Sequence, residues 1–162
     1  MKPIKLSIPF FGLLAASAFL LGCASTEESA GEITKVKYFH LTEDTTDQTA
    51  IDPMVRFERK YLLHGLVTRH EQKENFGSYY TIFWKVADPS APALVRFEYT
   101  QQSTGPEIQT RDFPADEIKR SNITRFAILG DEIEDAGRIT SWRISLLQAD
   151  EIVATSESFL WD

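Results

Sequence analysis

Histidines, carboxylates and aromatic rings are the side chains of this chain that could do chemistry, and their spacing sorts them quickly. His64, His70 and Glu71 are close in sequence. On one extended strand, however, six residues put the two histidines about 20 Å apart, too far for one ion whose ligands stand about 2 Å away. His40 stands alone, so the histidines read as surface or hydrogen-bonded groups and no metal site is expected. Asp131-Glu132-Ile133-Glu134-Asp135 crowds carboxylates into one short run. Calcium needs about six to eight oxygens converging from a folded loop, and the run lacks the Asp-x-Asp-x-Asp-Gly spacing of such loops. It reads as a solvated acidic turn. No Gly-x-Ser-x-Gly elbow and no glycine-rich phosphate loop occurs. No catalytic residue and no cofactor is expected.

Aromatics offer a different chemistry. Tyr79 and Phe83 fall on the face opposite Trp84 if Ser78–Asp88 is a strand. Aromatic rings left on the solvent side of a sheet can stack sugars or anchor a partner, and these two are the candidate ligand-binding residues. The competing account is ordinary cross-strand packing, because aromatics are enriched in strands generally.

The single cysteine, Cys23, follows Leu20-Leu21-Gly22 at the end of an apolar run that begins after Lys2 and Lys5. This resembles the lipobox of bacterial lipoproteins. The resemblance implies a cleaved signal peptide over residues 1–22 and a lipidated Cys23 as first residue of the mature chain, with a thioether-linked diacylglycerol and an acylated amino group. Several acyl chains together hold stably, whereas one alone binds a bilayer only marginally. Ala24 and Ser25 replace the aspartate that marks inner-membrane retention in such proteins, which implies the outer membrane, facing the periplasm. A retained membrane helix fits less well, since the run is short of about 20 apolar residues and carries Pro9.

A spent thiol leaves nothing for a disulfide framework, so the fold must rest on its core. The chain has 162 residues and a net charge of −7, which loss of Lys2 and Lys5 would take to −9. An acidic surface disfavours nucleic acid or anionic lipid as a partner. Residues 23–32 read as the lipidated cysteine and a small, polar, acidic tether, and residues 33–162 as one domain. Thr42–Ala50 reads as a polar loop.

From Val55 onward the hydrophobic period is two. Strands are expected over Ile33–Leu41, Ser78–Asp88, Ala93–Gln102, Asn122–Leu129, Arg138–Gln148 and Ile152–Trp161. Tyr80, Ile82, Trp84, Val95, Phe97, Tyr99, Phe126, Ile128, Trp142, Ile144 and Leu146 are the inward set. Val55–His70 supports two readings. Asp52-Pro53 and Gly65 offer the start and stop of a helix. Val55, Phe57, Tyr61, Leu63 and Val67 nonetheless share one parity, and that alternation favours a long strand. Ala115-Asp116-Glu117-Ile118 favours a short helical turn near Pro114–Lys119. Together the pattern predicts an all-β fold, a single antiparallel β-sandwich of about 7–8 strands. Outward Arg, Glu, Thr and Lys exclude a lipid-facing barrel.

Asp135-Ala136-Gly137-Arg138-Ile139-Thr140-Ser141 is similar to the immunoglobulin motif that opens the sixth strand, with Ile139 in place of its tyrosine and Ser141 in place of its cysteine. The resemblance implies an immunoglobulin-like or fibronectin-type-III-like outline, with Trp84 as the buried tryptophan. The expected function is therefore that of a membrane-anchored envelope module, structural or protein-interacting and not an enzyme. Its expected partners are the membrane, through lipid on Cys23, and an envelope protein. The alternative is a glycan-type ligand-binding sandwich using Tyr79 and Phe83.

Overall fold

The computed structural model describes residues 29–43 and 52–161. Seven strands form two antiparallel sheets: β1 (Gly31–Leu41), β2 (Gly77–Val86), β3 (Ala93–Gln101), β4 (Gln109–Ala115), β5 (Ser121–Leu129), β6 (Ile139–Gln148) and β7 (Glu151–Glu157). One sheet runs β1-β2-β5 and the other β4-β3-β6-β7. This is the expected all-β antiparallel sandwich, with β4 beside β3 in the larger sheet. Three short helices interrupt the connections: α1 (Pro53–Leu62) and α2 (Arg69–Glu74) between β1 and β2, and α3 (Asp131–Ala136) between β5 and β6.

Alternation becomes packing in the way the sequence predicts. Tyr80, Ile82 and Trp84 from β2, Val95, Phe97 and Tyr99 from β3, Phe126 and Ile128 from β5, and Ile144 and Leu146 from β6 are all buried in one core. The Phe97 and Phe126 rings meet across the sandwich with centroids 4.2 Å apart, and Tyr80 stacks on Phe126 at 5.1 Å. Such aromatic pairs add to the area each ring removes from water. The Trp84 indole N–H donates to the Thr124 hydroxyl at 3.0 Å, so the largest buried side chain leaves no orphaned donor.

Several local expectations need correcting. Val55–His70 is not a strand: Val55–Leu62 lies in α1, residues 63–68 form a turn and connection, and Arg69 and His70 open α2. The Asp52 side chain caps α1 by accepting the Met54 N–H at 2.7 Å, Pro53 occupies the first turn, and Gly65 follows the helix at a φ of 87°. Capping satisfies donors that a strand would leave to a partner, and the apparent alternation was a by-product of a face spaced 54, 57, 61, 62. Arg59 shares that parity and is charged, so the alternation is incomplete. Pro114 and Ala115 belong to β4 and not to a helical turn. The last strand stops at Glu157; Ser158 then bonds back to Trp142, and Phe159 is fully exposed. Trp84 is buried but lies on β2, the second strand, whereas the immunoglobulin tryptophan belongs to the third.

Two backbone features fix the sheet that matters below. Gly77 opens β2 where an added Cβ would stand 2.1 Å from the Ile128 carbonyl oxygen, so only glycine admits β5 at that distance. Between Ile33 and Lys35 the β1–β2 register shifts, and the Thr34 hydroxyl donates to the Phe83 carbonyl at 3.1 Å. The bulge thus keeps Phe83 tied to the edge strand.

Candidate functional site: a groove beneath the first helix

Tyr79 and Phe83 do lie on the outer side of the β1-β2-β5 sheet, and the structure places them in a groove. Its floor is that sheet face. Its roof is α1, whose Met54, Phe57 and Tyr61 are 68%, 63% and 66% exposed and whose residues include none that is buried. The enclosed space is about 650 Å³, within the range of small-molecule sites. An apolar helix face normally buries itself on the nearest sheet; here it stands off and leaves its rings in solvent.

Strand register orders the floor into rows. Phe39, Tyr79 and Ala127 form one row across β1, β2 and β5; Lys37, Thr81 and Arg125 form the next; Lys35, Phe83 and Ile123 form the third. The middle row is polar and cationic; it runs between the row of Phe39, Tyr79 and Ala127 and a row that is apolar at Phe83 and Ile123 and cationic at Lys35. The Lys37 ammonium sits 5.6 Å from the Phe83 ring centroid, a cation–π contact that draws it down onto the floor. The Tyr79 hydroxyl donates to the Asn75 carbonyl at 2.6 Å, which ties the segment after α2 to the start of β2. Burial raises the Tyr79 pKa, so this phenol stays a donor.

One charge of this face is paired within the sheet: Lys85 on β2 lies 4.0 Å from Glu32 on β1. Among the described residues, Lys35, Lys37 and Arg125 have no carboxylate at ion-pair distance. The one carboxylate in the groove lining is Glu58, on the α1 roof. Sequence reasoning found Tyr79 and Phe83 but missed Lys37, Thr81, Arg125 and the α1 aromatics. The signal for α1 was present in its Asp-Pro cap; that for the cationic row was not, because register joins it.

The remaining candidates are brought to other tasks. His64 falls in the turn after α1 and His70 in α2, where it faces Glu74 at 3.5 Å. The Glu71 carboxylate accepts the Val67 and Thr68 N–H groups and completes a capping box with Thr68, which lowers its pKa. The acidic run forms α3, where Glu134 pairs with Lys73 at 2.7 Å and Glu132 with Arg111. Among the described residues no three or more His, Cys, Asp or Glu gather as a metal set.

One nucleophile–base contact exists that the sequence order hid. His40 Nδ1 and Ser78 Oγ are 3.1 Å apart across β1 and β2. Burial, reinforced by the Arg138 charge, lowers the His40 pKa, as a base would need. Ser78 is nevertheless 0% exposed, so its hydroxyl meets no substrate in this conformation and serves to satisfy a buried polar pair.

Cys23 and the lipobox lie outside the described residues. Among the described residues, no helix is long and apolar enough to cross a membrane. No protein-family model, curated protein or solved structure matches this chain, which leaves the groove's geometry to carry its chemistry.

Proposed function

We propose that this chain is a lipid-anchored module of the bacterial cell envelope that works by binding and not by catalysis, with the groove beneath α1 as its binding surface. The observation that carries the binding half is the standing-off of α1: Met54, Phe57 and Tyr61 face solvent beside a sheet that already presents Phe39, Tyr79 and Phe83. Exposed apolar surface arranged in a concave rim is what interaction sites keep and inert surfaces shed. The anchoring half is supported by the Leu20-Leu21-Gly22-Cys23 ending. A glycan needs an open ring face to stack on, and Tyr79 and Phe83 are each half-buried beneath the helix, which favours an apolar occupant.

The test compares two faces in the cells that make the protein. A photo-crosslinking side chain at position 61 should give a discrete adduct, and one at position 155, on the other sheet, should not. Phe83→Glu should abolish the adduct at 61. Equal labelling at both positions, or none at either, overturns the binding surface. Cys23→Ala should move the protein from the membrane fraction to the soluble one; a variant that stays membrane-bound overturns the anchor.

A further inference from the structure

We propose that the groove takes an anion-headed apolar chain: an acyl carboxylate or an alkyl phosphate whose head lies over Thr81, between Lys37 and Arg125, and whose tail runs along the aromatic rows. The inference rests on the groove being a binding surface, but not on the anchor.

Charge complementarity selects the head. Neighbouring strands stand about 4.8 Å apart, so Lys37 and Arg125 flank Thr81 at one strand spacing on either side. An oxyanion above the Thr81 hydroxyl can receive the ammonium from one side and the guanidinium fork from the other, as charge-assisted hydrogen bonds. Among the described residues neither cation has a carboxylate at ion-pair distance, in a chain whose net charge is −7. On the opposite sheet, by contrast, Arg96 and Arg143 each hold a carboxylate at 2.8 Å. A cationic pair left unneutralised on an acidic protein marks the place of an absent anion.

The tail is selected by what surrounds that pair. The row of Phe39, Tyr79 and Ala127 lies on one side, and Phe83 on the other, lining the same groove as the α1 rings; Ile123 and Lys35 continue the Phe83 row beyond it. A methylene chain leaving the head in either direction meets aromatic or aliphatic surface, and each methylene fully buried tightens binding about four-fold at most. A sulfate or phosphate ion alone would use the cations and waste the rows. An uncharged chain would use the rows and leave the cations idle. Glu58 opposes the head from the roof, which gives a variant of opposite sign.

The experiment uses the full chain as the cells make it, with nanodiscs of zwitterionic lipid present, so that every probe partitions into the same bilayer. Four photoreactive dodecyl probes of equal length are compared: the carboxylate, the phosphate, the alcohol and the ammonium. The two anionic probes should label peptides from α1 and β2 at least five-fold more than the alcohol or the ammonium. The ratio between carboxylate and phosphate tells a fatty acid from a phospholipid source. Lys37→Gln with Arg125→Gln should reduce anionic labelling about ten-fold without changing the melting temperature, and Glu58→Gln should raise it two- to three-fold. Equal labelling by all four probes, or labelling indifferent to the double variant, overturns the proposal in favour of a general apolar or membrane-facing surface. If no dodecyl probe labels the groove while the position-61 crosslinker still finds a protein, the amphiphile is wrong and the binding surface stands. If both fail, both readings fall.

Discussion

The outer faces of the two sheets have the same strand geometry and opposite chemistry. On β4-β3-β6-β7, charges sit directly opposite one another in register: Asp112 against Arg96, and Glu98 against Arg143, which in turn faces Glu157. Arg96 grips Asp112 through two bonds of 2.8 Å, and the Arg143 guanidinium lies 5.0 Å from the Trp161 ring centroid while bonding Glu98. On β1-β2-β5, the corresponding rows carry Phe39, Tyr79 and Phe83, and the cations Lys37 and Arg125 are left without a counter-charge. A face that satisfies its own charges has finished its interactions within the chain. The other face keeps rings and, among the described residues, the cations Lys37 and Arg125 outside any ion pair, and it is the face the proposed binding surface uses.

The two faces share one core, and that sets the largest expected effect. Trp84 and Phe83 are adjacent on β2, one fully buried and one in the groove. Trp84→Ala should cost about 3–5 kcal/mol, enough to lower the thermal midpoint by roughly 10 °C or more. Phe83→Ala should cost about 1 kcal/mol or less, because its site is open on one side. Near-ultraviolet circular dichroism during heating checks both. If the two variants melt alike, Phe83 is a core residue and the groove face is not a free surface.

Charge reversal separates the faces themselves. Arg143→Glu removes a partner of Glu98 and sets a third carboxylate between Glu98 and Glu157, which should cost about 1 kcal/mol and lower the midpoint by roughly 3–5 °C. Arg125→Glu removes no bond and should stay within about 0.5 kcal/mol of the parent. Equal losses would mean that Arg125 has a structural partner and that the comparison of the faces fails.

Much of this was legible in the sequence, and the gaps have physical causes. Strands β2, β3, β5 and β6 were readable because each has one side in the core and one in water, so period two survives in Tyr80-Ile82-Trp84 and Val95-Phe97-Tyr99. The β4 strand was not, since Gln109–Ala115 is an edge that sets only Phe113 and the small Ala115 against the core, and its Pro114 reads as a breaker. In α1 a cap competed with a chance alternation, and the cap won because it satisfies backbone donors that alternation does not. Tyr79 and Phe83 could be placed on the outer face by parity alone. Their meeting with Lys37 and Arg125 could not, because cross-strand register depends on the Lys35 bulge and the close approach at Gly77, neither of which alternation encodes.

The smallest effect tests whether the paired face is as self-sufficient as its geometry implies. Hydrogen bonds from Arg96 hold the Asp112 carboxyl below the usual carboxylate range. A group whose folded pKa is depressed stabilises the fold above its unfolded pKa of about 3.9, and that contribution disappears as pH falls through the folded value. The melting temperature of the parent should therefore exceed that of Asp112→Asn by about 1–2 °C at neutral pH, and the gap should close below about pH 4. A large gap is not expected, because both side chains are 40% exposed and water screens the pair. On the groove face, Lys37→Gln and Arg125→Gln should leave the melting temperature unchanged across the same pH range, since no carboxylate there loses a partner. A gap that persists at pH 2 would assign the Asp112 effect to packing. A pH-dependent gap at Arg125 would show that this cation is already paired within the chain, and the contrast between the faces would then reduce to one of aromatic content alone.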